Sequence, residues 1–202
     1  MDAAALHQAI RDRRSVRRYT AEPLAAEVVE RLLAAAAWAP SAHNGQPWRF
    51  AVLTAAADRD RLARAMGERL RADRLADGEP AAVVEADAAR SYARLTGAPV
   101  VVVVCLTLAD MDRYPDLRRG NAERLMAVQS AAMAVQNLLL AAHAEGLGAC
   151  WMCAPLFCPD SVQSALGVPA DWEPQALVTL GWPAGRGKPA SRRPLAEVVR
   201  WL

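Results

Sequence analysis

The 202-residue sequence predicts an α+β domain of three layers (α/β/α), with helices on both faces of a small buried sheet. Two observations carry that prediction. "APVVVVVCL" is an uninterrupted β-branched run, the mark of a strand covered on both faces. Leu125 to Ala144 is a stretch of 20 residues without a formal charge, which reads as a long, largely buried central helix. Around these two, helical and strand-like segments follow one another with no repeat and no long linker before the tail.

Asp2 to Arg11 reads as a first helix, and a second runs from about Leu24 to Trp38 with Val28, Leu32 and Leu33 on one side. Phe50–Leu53 is a short strand. Asp58–Leu75 and Pro80–Thr96 read as charged, exposed helices parted by the "ADGEP" turn. The β-branched strand follows, then the central helix, which stops at Gly146, a natural C-terminal glycine. "GACWM" and "QALVTLGW" are further buried strands with a short helix between them at Pro159–Leu166. The tail from Pro183 is rich in Gly, Pro and Arg and is expected to wrap over the body.

Composition bounds the function. A chain of this length buries about two-thirds to three-quarters of the surface its unfolded form exposes, enough for one core, so residues 1–202 are expected to form a single domain. Lys+Arg 24 against Asp+Glu 22 gives a net charge of +2, which points away from nucleic acid. The N-terminus has no apolar segment of the signal-peptide kind. Four cysteines, three of them within Cys150–Cys158, do not make a disulfide framework, so a reducing cytoplasm is expected. Leu125–Ala144 has the length of a membrane span, but it carries Gln129, Ser130, Gln136, Asn137 and His143, whose burial in lipid is expensive. A soluble core or a dimer interface suits it better.

Three stretches could carry chemistry. "APSAHNGQPWRF" packs six residues of hydrogen-bonding loop between Pro40 and Pro47. "RDRRSVRRY" puts Arg11, Arg13, Arg14, Arg17 and Arg18 around Ser15. That run reads as a solvated helix end, as a nucleic-acid patch, or as an anion cradle in which guanidinium forks and a hydroxyl grip a phosphate. The tail adds Arg186, Lys188, Arg192 and Arg193. Its "GWPAGRGKP" is not a phosphate loop, because the glycine spacing is one residue too long and Pro189 replaces the hydroxyl residue. No G-x-G-x-x-G is present. "CWMC", with His143 and Cys158, departs from zinc-ligand spacing and falls on a buried strand, so no metal is expected there.

Taken together these motifs resemble the nitroreductase-like superfamily of flavoproteins. "RRSVRRY" after a first helix, "APSAHNGQPWRF", "APVVVVV", "GLGACWM" and "RRPLAEVV" stand in that family's order across essentially the whole chain. The resemblance implies a central mixed or antiparallel sheet, an intertwined homodimer, and FMN bound non-covalently between the two copies. It implies that Pro40, Ser41, Ala42 and Asn44 line the partner's flavin, with Gln46 supporting the loop. Arg13 and Ser15, flanked by Arg14, match the residues that hold the ribityl phosphate, joined from the tail by Arg192 and Arg193. Arg17 matches the basic residue at the pyrimidine end of the ring, with Arg94 a second candidate there. Ala154 and Leu156 stand where backbone amides contact the hydride-accepting nitrogen, although Pro155 between them has no N–H.

The implied activity is oxidoreduction by hydride transfer in ping-pong fashion, with no catalytic side chain, since the flavin does the chemistry. The reductant is expected to be NAD(P)H or another hydride donor and the acceptor a small molecule. "RADRLADGEP", "DRYPD" and "PADWEPQALVTLG" resemble the reductase domain used in making the deazaflavin coenzyme, which implies a precursor of that coenzyme as acceptor. A broad NAD(P)H-dependent reductase of nitro compounds or quinones, and a flavin- or nucleotide-binding module without turnover, are the alternatives.

Overall fold

A computed structural model describes residues 2–202. The chain runs α1 (Ala3–Asp12), α2 (Ala26–Ala37), β1 (Trp48–Leu53), α3 (Ala56–Ala76), α4 (Ala81–Thr96), β2 (Val100–Leu106), α5 (Leu117–Ala144), β3 (Gly148–Met152), α6 (Pro159–Leu166), β4 (Glu173–Gly181) and α7 (Leu195–Val198). The four strands make one sheet in the order β1-β2-β4-β3, and every pair of them is antiparallel. Among the described residues the one parallel pairing is a short bridge from Ser15 to Ala149 on the outer edge of β3.

β2 is buried at all seven positions, as its β-branched run requires, and its alternate side chains feed two cores. Val100, Val102 and Val104 face α2 and α5 with Leu32, Leu138 and Val178. Val101, Val103 and Cys105 face α3, α4 and α6 with Leu62, Leu95 and Val162. The three-layer expectation therefore holds, with β2 and β4 in the middle of the sheet.

Most element boundaries shift by a residue or two, and three differences bear on the site. β1 begins at Trp48, directly after Pro47, and not at Phe50. α2 buries Val29, Leu32 and Ala36, while Val28 and Leu33 lie at the margin of that core. The central helix begins eight residues earlier than the uncharged stretch, at Leu117, because the Asp116 side chain caps it by accepting from the Arg119 N–H. This α5 is long and apolar enough to cross a bilayer, yet Ala127, Ala131, Ala134, Leu138 and Ala142 are buried in the protein core. The opposite face exposes Leu125, Gln129, Met133 and Gln136.

Candidate functional site

α1 stops at Asp12, and Arg13 turns into extended backbone (φ −55°, ψ 130°). The following residues lie along the edge of β3. Ser15 bridges Ala149, and the Val16 N–H donates to the Ala149 carbonyl at 3.0 Å. Such close approach needs Gly148, because a Cβ there would stand 2.7 Å from Val16 Cγ1. Tyr19 pins the far end of the segment. Its hydroxyl lies 2.6 Å from the Val16 carbonyl and 2.7 Å from Thr179 Oγ1, and burial raises its pKa well above the ordinary phenol value. Thr20 then donates to Trp182, and Ala184 to Arg18, which stitches residues 18–20 to 182–184.

Three guanidinium groups act electrostatically on this edge. Burial pushes the Cys150 thiol up, while the charges of Arg17, Arg94 and Arg13 push it down. Arg94 arrives from the last turn of α4, 77 positions beyond Arg17 in the chain. None of the three has a carboxylate partner among the described residues, whereas most other arginines of the body do. Uncompensated like charges held together are unfavourable unless an anion joins them, so the cluster fits a phosphate or another anionic group. Arg14 differs: its Nη1 donates to the Arg11 and Arg13 carbonyls, which closes the end of α1.

The tail meets this segment through its glycines. Gly187 lies so close to Arg14 that a Cβ would stand 2.4 Å from the arginine Cβ. A cavity of about 730 Å³ opens there, between Arg13, Arg14, Leu139, His143, Leu147 and Arg186. Arg192 and Arg193 are not brought to the cluster. Arg192 donates to the neighbouring Ser191 carbonyl, and Arg193 lies 3.8 Å from Glu197, both fully in solvent.

The loop after α2 is built to present polar groups outward. Ser41 Oγ accepts the Gln46 N–H, and the Ala42 N–H donates to Ser130 Oγ on α5. His43, Asn44 and Gln46 all take positive φ (53°, 54° and 45°), a region that side chains enter rarely. Gln46 reaches Asn44 through two contacts of 3.4 Å. Pro40, Asn44 and Gln46 are exposed, while Ser41 and Ala42 are half-buried. At the exit of β3, Ala154–Phe157 form a 3₁₀ turn in which the Leu156 N–H donates to Cys153. Ala154 opens the turn, the position whose N–H has no partner within it. A second cavity, of about 310 Å³, lies between this turn and α3–α4, lined by Met66, Arg69, Leu70, Ser91, Ala154 and Phe157.

The expected site residues thus fall into two groups that do not meet within one chain. The 40–46 loop leads into β1, and the arginine cluster lies on β3, at opposite edges of the four-stranded sheet. Three interstrand steps separate those edges, about 14 Å at ~4.8 Å each. Cys105, Cys150 and Cys158 are buried, Cys153 is exposed and free, and His143 lines the larger cavity. What the sequence did not reveal is a grouping of His43, Asp112 and Glu123, whose ligand atoms lie within 4.8 Å of one another. Their positions form no spacing motif, and only the packing of the loop on α5 joins them.

Comparison with known proteins places this geometry. The family model of the nitroreductase family matches residues 10–182. A protein named NADH dehydrogenase from Thermus thermophilus is 33% identical over 213 residues, covering 94% of this chain and 92% of its own. A 5,6-dimethylbenzimidazole synthase from Rhodospirillum rubrum is 34% identical over 175 residues, covering 85% and 78%. Among solved structures, a protein described as a nitroreductase in complex with FMN, from Desulfovibrio desulfuricans, superposes with a TM-score of 0.74 at 34% identity, covering 96% of this chain and 94% of its own.

Proposed function

We propose a homodimer that transfers hydride in two half-reactions at one site, from the premise that the chain belongs to the nitroreductase family and is an FMN-dependent oxidoreductase. When bound, FMN takes a hydride from a donor and passes it to an acceptor. Everything else falls to the residues of this chain, in one domain spanning 1–202.

The observation that carries the proposal is the placement of two half-sites on opposite edges of one sheet. Arg13 and Ser15, which the β3 edge holds in extended backbone, grip the phosphate. Arg17 and Arg94 place positive charge beside the ring, where it favours the electron-rich form. Pro40, Ser41, Ala42 and Asn44 of a second copy close the site from the other side, held in shape by Gln46. The Ala154 amide, at the mouth of the smaller cavity, points to where the hydride is exchanged, and that cavity receives donor and acceptor in turn. Arg14, closing α1, shapes the backbone that carries Arg13. Arg192 and Arg193 join the phosphate only if the tail folds back on association.

NADH or NADPH is the proposed donor, supported by the relative named NADH dehydrogenase at 33% identity over nearly the whole chain. The proposed acceptor is a small planar molecule, nitro-aromatic or quinone. "PADWEPQALVTLG", which resembles the reductase domain of deazaflavin-coenzyme synthesis, supports a second reading, the reduction of a deazaflavin-coenzyme precursor. A cytoplasmic location goes with either, since a free exposed Cys153 suits a reducing compartment.

A mixed dimer tests the shared site. One Arg13→Gln chain paired with one Asn44→Ala chain carries one doubly altered site and one intact site. Each variant homodimer should bind flavin poorly, and the mixed dimer should regain about half of the wild-type content. A mixed dimer no better than its parents would show that both residues serve the same chain's flavin. Anaerobic titration with NADH and then with each acceptor class separates the two readings.

A further inference from the structure

We propose that His43, Asp112 and Glu123 form a binding site for a divalent first-row transition cation, which ties the 40–46 loop to α5. Glu123 lies in the second turn of α5 with its side chain only 4% exposed. Its Oε1 accepts the Asp112 N–H at 3.1 Å, and its Oε2 has no partner among the described residues. A carboxylate taken out of water with one oxygen bare is costly unless a cation lies beside it. His43 Nε2 is 3.6 Å from Glu123 Oε1 and 4.0 Å from Asp112 Oδ2, too far for hydrogen bonds. The three side chains therefore aim ligand atoms into one small volume without bonding each other.

The spacing suits a metal. Ligands at about 2.0–2.2 Å from a tetrahedral ion stand about 3.4 Å apart. The two His43 distances exceed that by a few tenths of an ångström. His43 and Asp112 have side chains 52% and 60% exposed, free to close the difference, while the buried Glu123 stays fixed. One imidazole and two carboxylates make a donor set for Zn²⁺, Mn²⁺ or Fe²⁺, not for Ca²⁺ or Mg²⁺, which favour oxygen alone. Two carboxylates also balance the charge of a divalent ion. A fourth position remains for water.

The site draws on three separate elements. His43 belongs to the polar loop, Asp112 to the β2–α5 connection and Glu123 to α5. Within the loop, His43 holds left-handed backbone (φ 53°, ψ 17°) next to Asn44. A cation held here would fix the conformation of a loop that otherwise hangs on Ser130 and its own hydrogen bonds.

The test uses flavin-loaded protein, stripped with chelator and titrated calorimetrically with Zn²⁺. The wild type is expected to take up one equivalent per chain, and its thermal midpoint to rise with the metal. His43→Ala and Asp112→Asn, both at exposed positions that leave the core intact, should each weaken binding tenfold or more and abolish the thermal shift. A wild type with no stoichiometric uptake overturns the proposal. So does either variant binding as the wild type does, which would assign the metal to another group such as the exposed Cys153 thiol.

Discussion

Arg13 and Arg17 lie four positions apart on one extended segment, and on the proposed assignment they act on different parts of FMN. A unit charge about 4 Å from the ring interacts by roughly 4 kcal/mol at an effective dielectric of 20. Solvent at the exposed Arg17 and delocalisation in the ring leave about half, and ~2 kcal/mol corresponds to roughly 40 mV for a two-electron couple. Arg17→Gln should therefore lower the flavin midpoint potential by tens of millivolts with little loss of FMN, measured by dye-coupled titration. Arg13→Gln should release FMN while the potential of what remains barely moves. The two phenotypes exchanged would overturn the assignment. Tyr19 makes a separate prediction. Its raised pKa means that the folded chain keeps a proton which the unfolded chain loses above about pH 10. The stability concerned is complete below that pH and is lost as the pH rises toward the folded value. The buried Cys105 thiol, pushed up to about 12, adds the same loss from about pH 9 upward. Thermal midpoints should fall from pH 9 to 11, and in Tyr19→Phe the fall above pH 10 should be shallower, leaving the part that the buried thiol contributes. Below pH 10 that variant should also be less stable, by about 1–3 kcal/mol, because Thr179 loses its partner. Double replacement of Cys150 and Cys153 by alanine should cost ~1–3 kcal/mol through lost packing and leave flavin content and turnover intact.

Among the elements, β3 and the segment beside it carry the proposed phosphate end of the cofactor site. Gly148 is the condition for that pairing, since any side chain there collides with Val16 and comes within 3.2 Å of Tyr19. Gly148→Ala should push residues 13–19 off the edge and lower FMN affinity tenfold or more, with the far-UV spectrum unchanged. Full flavin occupancy in that variant would show that the cluster does not depend on the bridge. The elements differ in how legible they were. The run at 100–106 announced a doubly covered strand because seven apolar residues leave no face for water, and Pro159–Leu166 was marked at both ends by Pro159 and Gly167. The start of α5 was hidden, because Arg118, Arg119 and Glu123 resemble a loop until Asp116 is seen to cap them. The arginine run by itself left three readings open and only the family resemblance singled out Arg13 and Arg17, while folding distinguishes Arg17, without a carboxylate partner among the described residues, from Arg14, whose donors go to backbone carbonyls. No local pattern joins His43 to Glu123, for that contact exists through the packing of a loop on a helix.

For the whole molecule, the proposed division of the site between opposite sheet edges calls for association. The exposed face of α5 offers Leu125, Gln129 and Met133 at four-residue steps, and α1 exposes Leu6 and Ile10. Obligate interfaces often exceed about 2,000 Å², so a charge on this helical stripe should be disruptive. Leu125→Glu combined with Met133→Glu should yield a monomer without flavin in size-exclusion runs with light scattering, and a monomer that keeps stoichiometric FMN would refute the shared site. The order of the strands carries a last consequence, one of timing. β4 is the last strand in the chain, yet it lies between β2 and β3 and supplies the only neighbour that β3 has among the strands. As the chain emerges from the ribosome, β3 has no strand to pair with, only the short bridge to Ser15, until β4 is made, and the 18–20 segment waits for residues 182–184. Contacts of such wide sequence separation form slowly. Residues 18–20 and 182–184 therefore meet last, and the protein is born without its colour: on the proposed assignment, FMN enters only after synthesis has passed residue 184 and a second finished chain is at hand.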